Sequence, residues 1–154
     1  MRSGVVVGSL MALGVIAWPA AAQWMAVDPA PEGRSRAAGA IVGDSFYMIG
    51  GEATGGVRDV LCFVLDIPTG EWDFIAPMPD TGVGLGGVSN TDACAVGTDV
   101  YQVGGWTSTG VPPTISRTLK YDTVTDIWEE ITTDPFPTTA DGVYANALVA
   151  LDGK

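Results

Sequence analysis

Two stretches of this chain repeat each other at a fixed distance, and that repeat limits the fold more than any other feature. Gly50-Gly51 closes the apolar run Ser45-Phe46-Tyr47-Met48-Ile49, and Gly104-Gly105 closes Asp99-Val100-Tyr101-Gln102-Val103, at an offset of 54. Upstream, Ala40-Ile41-Val42-Gly43-Asp44 matches Cys94-Ala95-Val96-Gly97-Thr98 at the same offset. Downstream, Leu65-Asp66 precedes Trp72 as Tyr121-Asp122 precedes Trp128, and the two tryptophans lie 56 apart. A period of roughly 50 residues marks a repeat architecture, in which one unit cannot bury its apolar face alone and must stack on a neighbour.

Each unit reads as four short strands. They span 37–42, 45–50, 60–66 and 71–75 in the first unit and 92–96, 99–104, 116–122 and 127–132 in the second. Turn-forming residues separate them, as in Pro68-Thr69-Gly70 and Thr123-Val124-Thr125. The 21 glycines and 10 prolines of the 154 residues serve as this punctuation, and no stretch after residue 22 carries a helical period. A Gly-Gly pair lets the backbone take positive φ or pack closely where the second strand ends. The Trp offers a broad apolar surface to the next sheet.

These residues resemble the Kelch repeat: a Gly-Gly pair after the second strand, a Tyr-Asp-like pair, and a Trp about seven residues after the Tyr. Gly50, Gly51, Leu65, Asp66 and Trp72 match it once, and Gly104, Gly105, Tyr121, Asp122 and Trp128 match it again. Leu65 departs from the aromatic, keeping an apolar contact and losing a hydroxyl. The resemblance covers roughly residues 24–154 and implies an all-β, Kelch-type β-propeller. Blade 1 spans 37–79 and blade 2 spans 90–137. The fold alone implies no single function, because function resides in sites carried on it.

Both ends extend the pattern. Trp24 is followed by Pro29 and Pro31, as Trp72 is followed by Pro77 and Pro79. Residues 24–29 therefore read as a fourth strand with no first three before it, the closing strand of the last blade, since rings hide sheet edges by pairing strands from both termini. Residues 143–154 read as the start of blade 3. Propellers need at least about four blades, so the chain is expected to be the N-terminal part of a longer protein. Before this, Arg2, the apolar run Val5–Ala17, Pro19 and Ala20-Ala21-Ala22 form a secretory signal peptide over 1–22. The apolar run is shorter than the roughly 20 residues of a membrane span. The mature chain, 23–154, is expected to be secreted or periplasmic and free of the membrane.

Composition removes several kinds of chemistry. The chain has no histidine, so these blades hold no Ser-His or Cys-His pair and none of the commonest metal ligand. Its net charge of −11 repels phosphate backbones and argues against nucleic acid. The match Gly82–Gly87 to a dinucleotide fingerprint lies between a Pro-rich turn and a strand, the wrong context, and reads as an inter-blade loop. Asp44, Asp99 and Asp152 recur at hairpins as turn formers, without the dense carboxylates of a calcium loop. Catalytic, cofactor and metal residues are therefore expected to be absent here. Cys62 and Cys94 either form an inter-blade disulfide or remain separate thiols.

In Kelch-like propellers the loops after strand two and between blades share one face. Here these are Glu52–Asp59, Trp106–Ile115 and Asp80–Asn90, long loops of the kind that gather binding residues. Arg58 and Arg117 stand out among few bases, either as carboxylate grips or as members of local ion pairs, Arg58 for instance with Asp59 or Glu52. Trp106 is either a stacking platform or a residue tucked over the blade edge. The resemblance implies an exported binding module for a protein or glycan. The alternative is a sugar-active propeller enzyme, similar to sialic acid mutarotases or galactose oxidase, with its catalytic residues mostly beyond Lys154.

Overall fold

A computed structural model describes residues 25–80, 86–107, 114–132 and 142–153. The eight strands are β1 (Ala38–Val42), β2 (Ser45–Ile49), β3 (Cys62–Asp66), β4 (Trp72–Ile75), β5 (Asp92–Val96), β6 (Asp99–Val103), β7 (Thr118–Asp122) and β8 (Ile127–Glu130). They form two antiparallel four-stranded meanders, β1-β2-β3-β4 and β5-β6-β7-β8. All eight strands expected within the two units are present, with some ends shorter, whereas 25–29 of the expected closing strand carry no strand pairing among the described residues. β3 starts at Cys62 instead of 60 and β8 ends at Glu130 instead of 132. At the first of these ends the backbone has turned to another partner: the Val60 carbonyl accepts from Met78 N–H at 2.9 Å.

The motif residues have visible physical roles. Asp122 Oδ1 accepts from Val124 N–H at 2.8 Å and Thr125 N–H at 3.1 Å, and so folds the β7–β8 turn. Those two bonds, Val124 first, hold its carboxyl below the usual aspartate value. Asp66 Oδ1 does the same for Thr69, accepting its N–H at 2.9 Å and its hydroxyl at 3.0 Å. The Gly-Gly pairs stitch each blade to the next linker. Gly51 N–H donates to the Val88 carbonyl and Gly105 N–H to the Val143 carbonyl, both at 2.8 Å. Gly50 and Gly104 have φ of 60° and 66°, and a Cβ there would lie 2.7 Å from the Val88 carbonyl and 2.5 Å from that of Val143. No other residue permits so close an approach.

Side-chain alternation gives each sheet two faces. Ala38, Ala40, Tyr47, Ile49 and Cys62 share one face of blade 1 and pack on Ala93, Val100, Leu119 and Tyr121 of blade 2. The innermost strands β1 and β5 run against each other, with alanine and glycine allowing close contact. Tyr47 and Tyr121 meet across this seam at 5.9 Å between ring centroids. The other face of blade 1 leaves Ile41 60% and Phe74 56% exposed.

Both cysteines are free thiols. Cys62 faces blade 2, but Cys94 pairs in register with Tyr101, on the side of blade 2 turned away from blade 1. The second sheet therefore lies between them, which excludes a disulfide. Cys62 is buried and its thiol is pushed up to about 11 by desolvation, whereas Cys94 is half-buried.

The signal segment 1–22 and Trp24 lie outside the described residues, as do 81–85 of the fingerprint-like loop, 108–113 of the Trp106 loop and 133–141 at the end of blade 2. Residues 146–150 have no strand partner among the described residues. Asp152 and Gly153 form a turn, with φ of 52° and 71°.

Candidate functional site

Beyond each Gly-Gly pair the blade continues as single-residue bridges. Ser35, Glu52 and Arg58 are joined in blade 1, and Ser89, Trp106 and Thr114 in blade 2. Glu52 and Trp106 are thus equivalent positions, each directly after a Gly-Gly pair. Arg36 and Asn90, with φ of 58° and 52°, start the innermost strands. The Asn90 N–H donates to the Arg36 carbonyl at 3.1 Å, and the Ala145 N–H to the Asn90 carbonyl at 2.7 Å. A chain of backbone bonds therefore runs from linker to linker, and it fixes where each loop side chain emerges.

Around Glu52 this places a charged cluster. Its Oε2 lies 3.0 Å from Arg36 Nη1 and 3.6 Å from Arg58 Nη2. Arg58 Nε donates to Ser89 Oγ at 2.9 Å, tying blade 1 to the linker of blade 2. Arg34 lies beneath, its side chain fully buried, 5.5 Å above the Phe63 ring, with Nη2 at 2.9 Å from Glu32 and 3.3 Å from Asp59. Arg117 donates from Nη1 to the Asp80 carbonyl at 2.8 Å and pairs with Glu130 at 3.0 Å. Trp106 meets Tyr144 edge-on, ring centroids 4.9 Å apart.

Arg58 and Trp106 therefore come together at the seam between blade 1 and blade 2, through Ser89, which both contact. Arg117 ends the same β6–β7 connection that carries Trp106, and its side chain engages Asp80 and Glu130 instead. Both arginines are engaged by carboxylates, and Arg36 is the more accessible, its side chain 55% exposed. Sequence reasoning missed Arg36, Ser89 and Tyr144. Glu52 was legible as the residue that replaces Trp106 in the repeat. Ser89 was not, because its bond to Arg58 spans 31 residues.

At the opposite, turn end of blade 1 a cleft of about 420 Å³ is lined by Tyr47, Trp72, Asp66, Glu71 and Asp73, among others. Among the described residues no group of three His, Cys, Asp or Glu is placed to hold a metal ion. No helix among them is long and apolar enough to cross a membrane.

Two stacked four-stranded meanders, stitched by Gly-Gly pairs and presenting their loops at one end, are blades of a β-propeller. The family model described as the Kelch motif matches residues 88–135, the span of blade 2. Kelch-like protein 35 of Mus musculus is 32% identical over 133 residues, 85% of this chain and 20% of that protein. The solved chain titled "Structure of YjhT" superposes with a TM-score of 0.65 at 18% identity, over 82% of this chain and 34% of that one. The latter likeness concerns the fold. The chain belongs to the Kelch-repeat family, and it spans a fifth of that curated relative and about a third of that solved chain.

Proposed function

We propose that the chain is part of an exported propeller that acts as a protein-interaction module, with the Gly-Gly end of its blades as the partner-facing side. The observation that carries this reading is the separation of charge along the blades. Arg34, Arg36, Arg58 and Arg117 all lie at the Gly-Gly end. The turn end carries Asp44, Asp66, Glu71, Asp99 and Asp122, with no lysine or arginine among the described residues. On a chain of net charge −11 the arginines of this end pair with Glu32, Asp59, Glu52 and Glu130, so it is a mixed-charge surface rich in guanidinium donors, in contrast to the acidic turn end. Arg, Trp and Tyr are also the residues that anchor interfaces, and this end carries the exposed Arg36 and the Trp106–Tyr144 pair. Export rests on the signal-peptide pattern of residues 1–22.

The test uses the full-length protein and its Arg36→Glu/Trp106→Ala double variant. Each is immobilised and exposed to the secreted proteins of its source and to a glycan array. A protein retained by the native form, and held at least about tenfold more weakly by the variant at equal thermal stability, supports the reading. Capture that ignores both substitutions overturns the assignment of this face. Binding confined to glycans replaces the protein partner with a sugar.

A further inference from the structure

We propose that the cleft at the turn end of blade 1 binds an alkylammonium group, brought by a free amine or by a lysine side chain. Blade 2 carries the precedent within its own sheet. On its side turned away from blade 1, Tyr101 lies opposite Lys120, Lys120 opposite Glu129, and Asp99 opposite Asp122. Lys120 Nζ is 2.9 Å from Glu129 Oε2. The ammonium is held above the ordinary lysine value, first by its hydrogen bond to Glu129 and further by the charges of Glu129 and Asp99. After the N–H bonds of Val124 and Thr125, the same cation helps to hold Asp122 low. One built-in ammonium thus answers the carboxylates of this face.

Blade 1 has the same frame with the lysine replaced. Tyr47, Val64 and Asp73 take the places of Tyr101, Lys120 and Glu129, and Ser45 and Asp66 those of Asp99 and Asp122. These five residues line the cleft, and the β3–β4 turn adds a further carboxylate, Glu71. None of the lining residues is basic. Diagonal neighbours on one face of a sheet stand about 7–8 Å apart, so Asp66 and Asp73 repel each other and a cation between them relieves that repulsion. Their bonds within the chain use one oxygen each. Asp66 Oδ1 holds Thr69, and Asp73 Oδ1 accepts from Phe74 N–H at 2.7 Å. Oδ2 of each has no partner among the described residues.

A second observation comes from Tyr47. It is only 8% exposed, it lines the cleft, and its hydroxyl has no hydrogen-bond partner among the described residues. The hydroxyl of Tyr121 across the seam, by contrast, donates to Asp126. A phenol oxygen accepts hydrogen bonds, and an ammonium has three N–H donors to share among Tyr47, Asp66 and Asp73. The size of the cleft points the same way. Its volume of about 420 Å³ suits a small organic group rather than a bare ion. No three carboxylates among the described residues are placed to hold a metal ion. Val64 and the Tyr47 ring give the alkyl stem an apolar lining while the charged head meets the carboxylates.

Amide NMR titration of the full-length protein with butylamine and with Nα-acetyl-lysine methylamide tests this. Each probe carries one ammonium, so neither gains from a diffuse negative charge by multivalency. Saturable shifts confined to the cleft strands β2, β3 and β4 are expected. Val64→Lys supplies the ammonium from the chain itself, as Lys120 does in blade 2, and should weaken binding at least about tenfold at unchanged Tm. Asp73→Asn keeps the side-chain shape and should weaken it as well, so the reading does not rest on one variant. Tighter binding of the lysine derivative supports the proposal with a peptide-borne ammonium, and equal binding supports it with a free amine. Shifts that survive both substitutions, equal binding of uncharged 1-butanol, or no binding of either amine overturns the proposal. None of these outcomes depends on what the Gly-Gly end binds.

Discussion

Blade 1 and blade 2 share strand order, register and turn positions, yet their outer strands are clasped in different ways. In blade 2, Tyr121 is 2% exposed and its hydroxyl donates to Asp126 Oδ1 at 2.7 Å. The same oxygen accepts from Ala76 N–H, so one carboxylate joins a β7 side chain, the β7–β8 turn and the adjoining blade. In blade 1 the corresponding residues are Leu65 and Gly70. Neither has a polar side-chain atom, and the Gly70 backbone carbonyl takes the incoming amide instead. The middle of the sheet differs likewise. Gln102 is fully buried and its amide donates to Thr91 Oγ1 at 2.6 Å and to the Gly104 carbonyl, where blade 1 has Met48. The blade is thus a backbone pattern that tolerates either an apolar or a polar filling. Half of a polar pair weakens either filling, because a buried group without its partner is costly.

The largest expected effect breaks this comparison outright. Tyr121→Ala should cost about 3–5 kcal/mol, as for other buried aromatics, and Leu65→Ala about 2 kcal/mol, because a smaller side chain and no hydroxyl clasp are lost. Thermal or denaturant unfolding of the full-length protein measures both, and equal losses would show that the seams are equivalent. Next, Gly105→Ala should cost about 1–3 kcal/mol, since φ is 125° and the new Cβ would sit 2.7 Å from that of Val88. A Tm unchanged by that substitution would refute the proposed role of the pair.

Tyr121→Phe should cost about 1–2 kcal/mol, the worth of one hydrogen bond to a charged group. Transplanting the clasp with Leu65→Tyr and Gly70→Asp together should do better than the sum of the single changes, as a double-mutant cycle would show. The clasp also carries a pH signature. Asp126 is held below its ordinary value of 3.8, first by the Ala76 N–H and then by the Tyr121 hydroxyl. Its pKa is lower folded than unfolded, so its stabilisation is complete above that ordinary value and is lost as pH falls below it through the folded value. Unfolding midpoints followed from pH 6 to pH 2 should therefore fall less steeply in Asp126→Asn than in the native protein. The smallest effect is expected from Arg36→Ala, at about 0–1 kcal/mol, because its pair with Glu52 is exposed to solvent.

Much of this architecture was legible in the chain. The eight strands, the Gly-Gly closures and the loss of a hydroxyl at Leu65 all follow from patterns within one unit. The candidate site was only half legible. Arg58 and Trp106 stood out as rare residues in long loops, but the Ser89 that joins them belongs to another linker. Arg34 was invisible as a buried residue, since a guanidinium 5.5 Å above an aromatic ring looks in sequence like any surface arginine. Cys62 and Cys94 stayed ambiguous for the same reason: spacing does not tell which side of a sheet a thiol faces in relation to a different sheet.

Residue order alone set the repeat, the strand count and the turn chemistry, because these depend on neighbours within about ten residues and on the two-residue alternation of a strand. Only the stacking of one blade on the next decided the rest. That Tyr121, Asp126 and Ala76 form a single clasp, that Trp72 reaches Asp28, and that Glu52 gathers two arginines are facts of contact between separate units. Such contacts span 16 to 50 residues of chain, and a pattern read along the backbone carries no record of which groups will meet there.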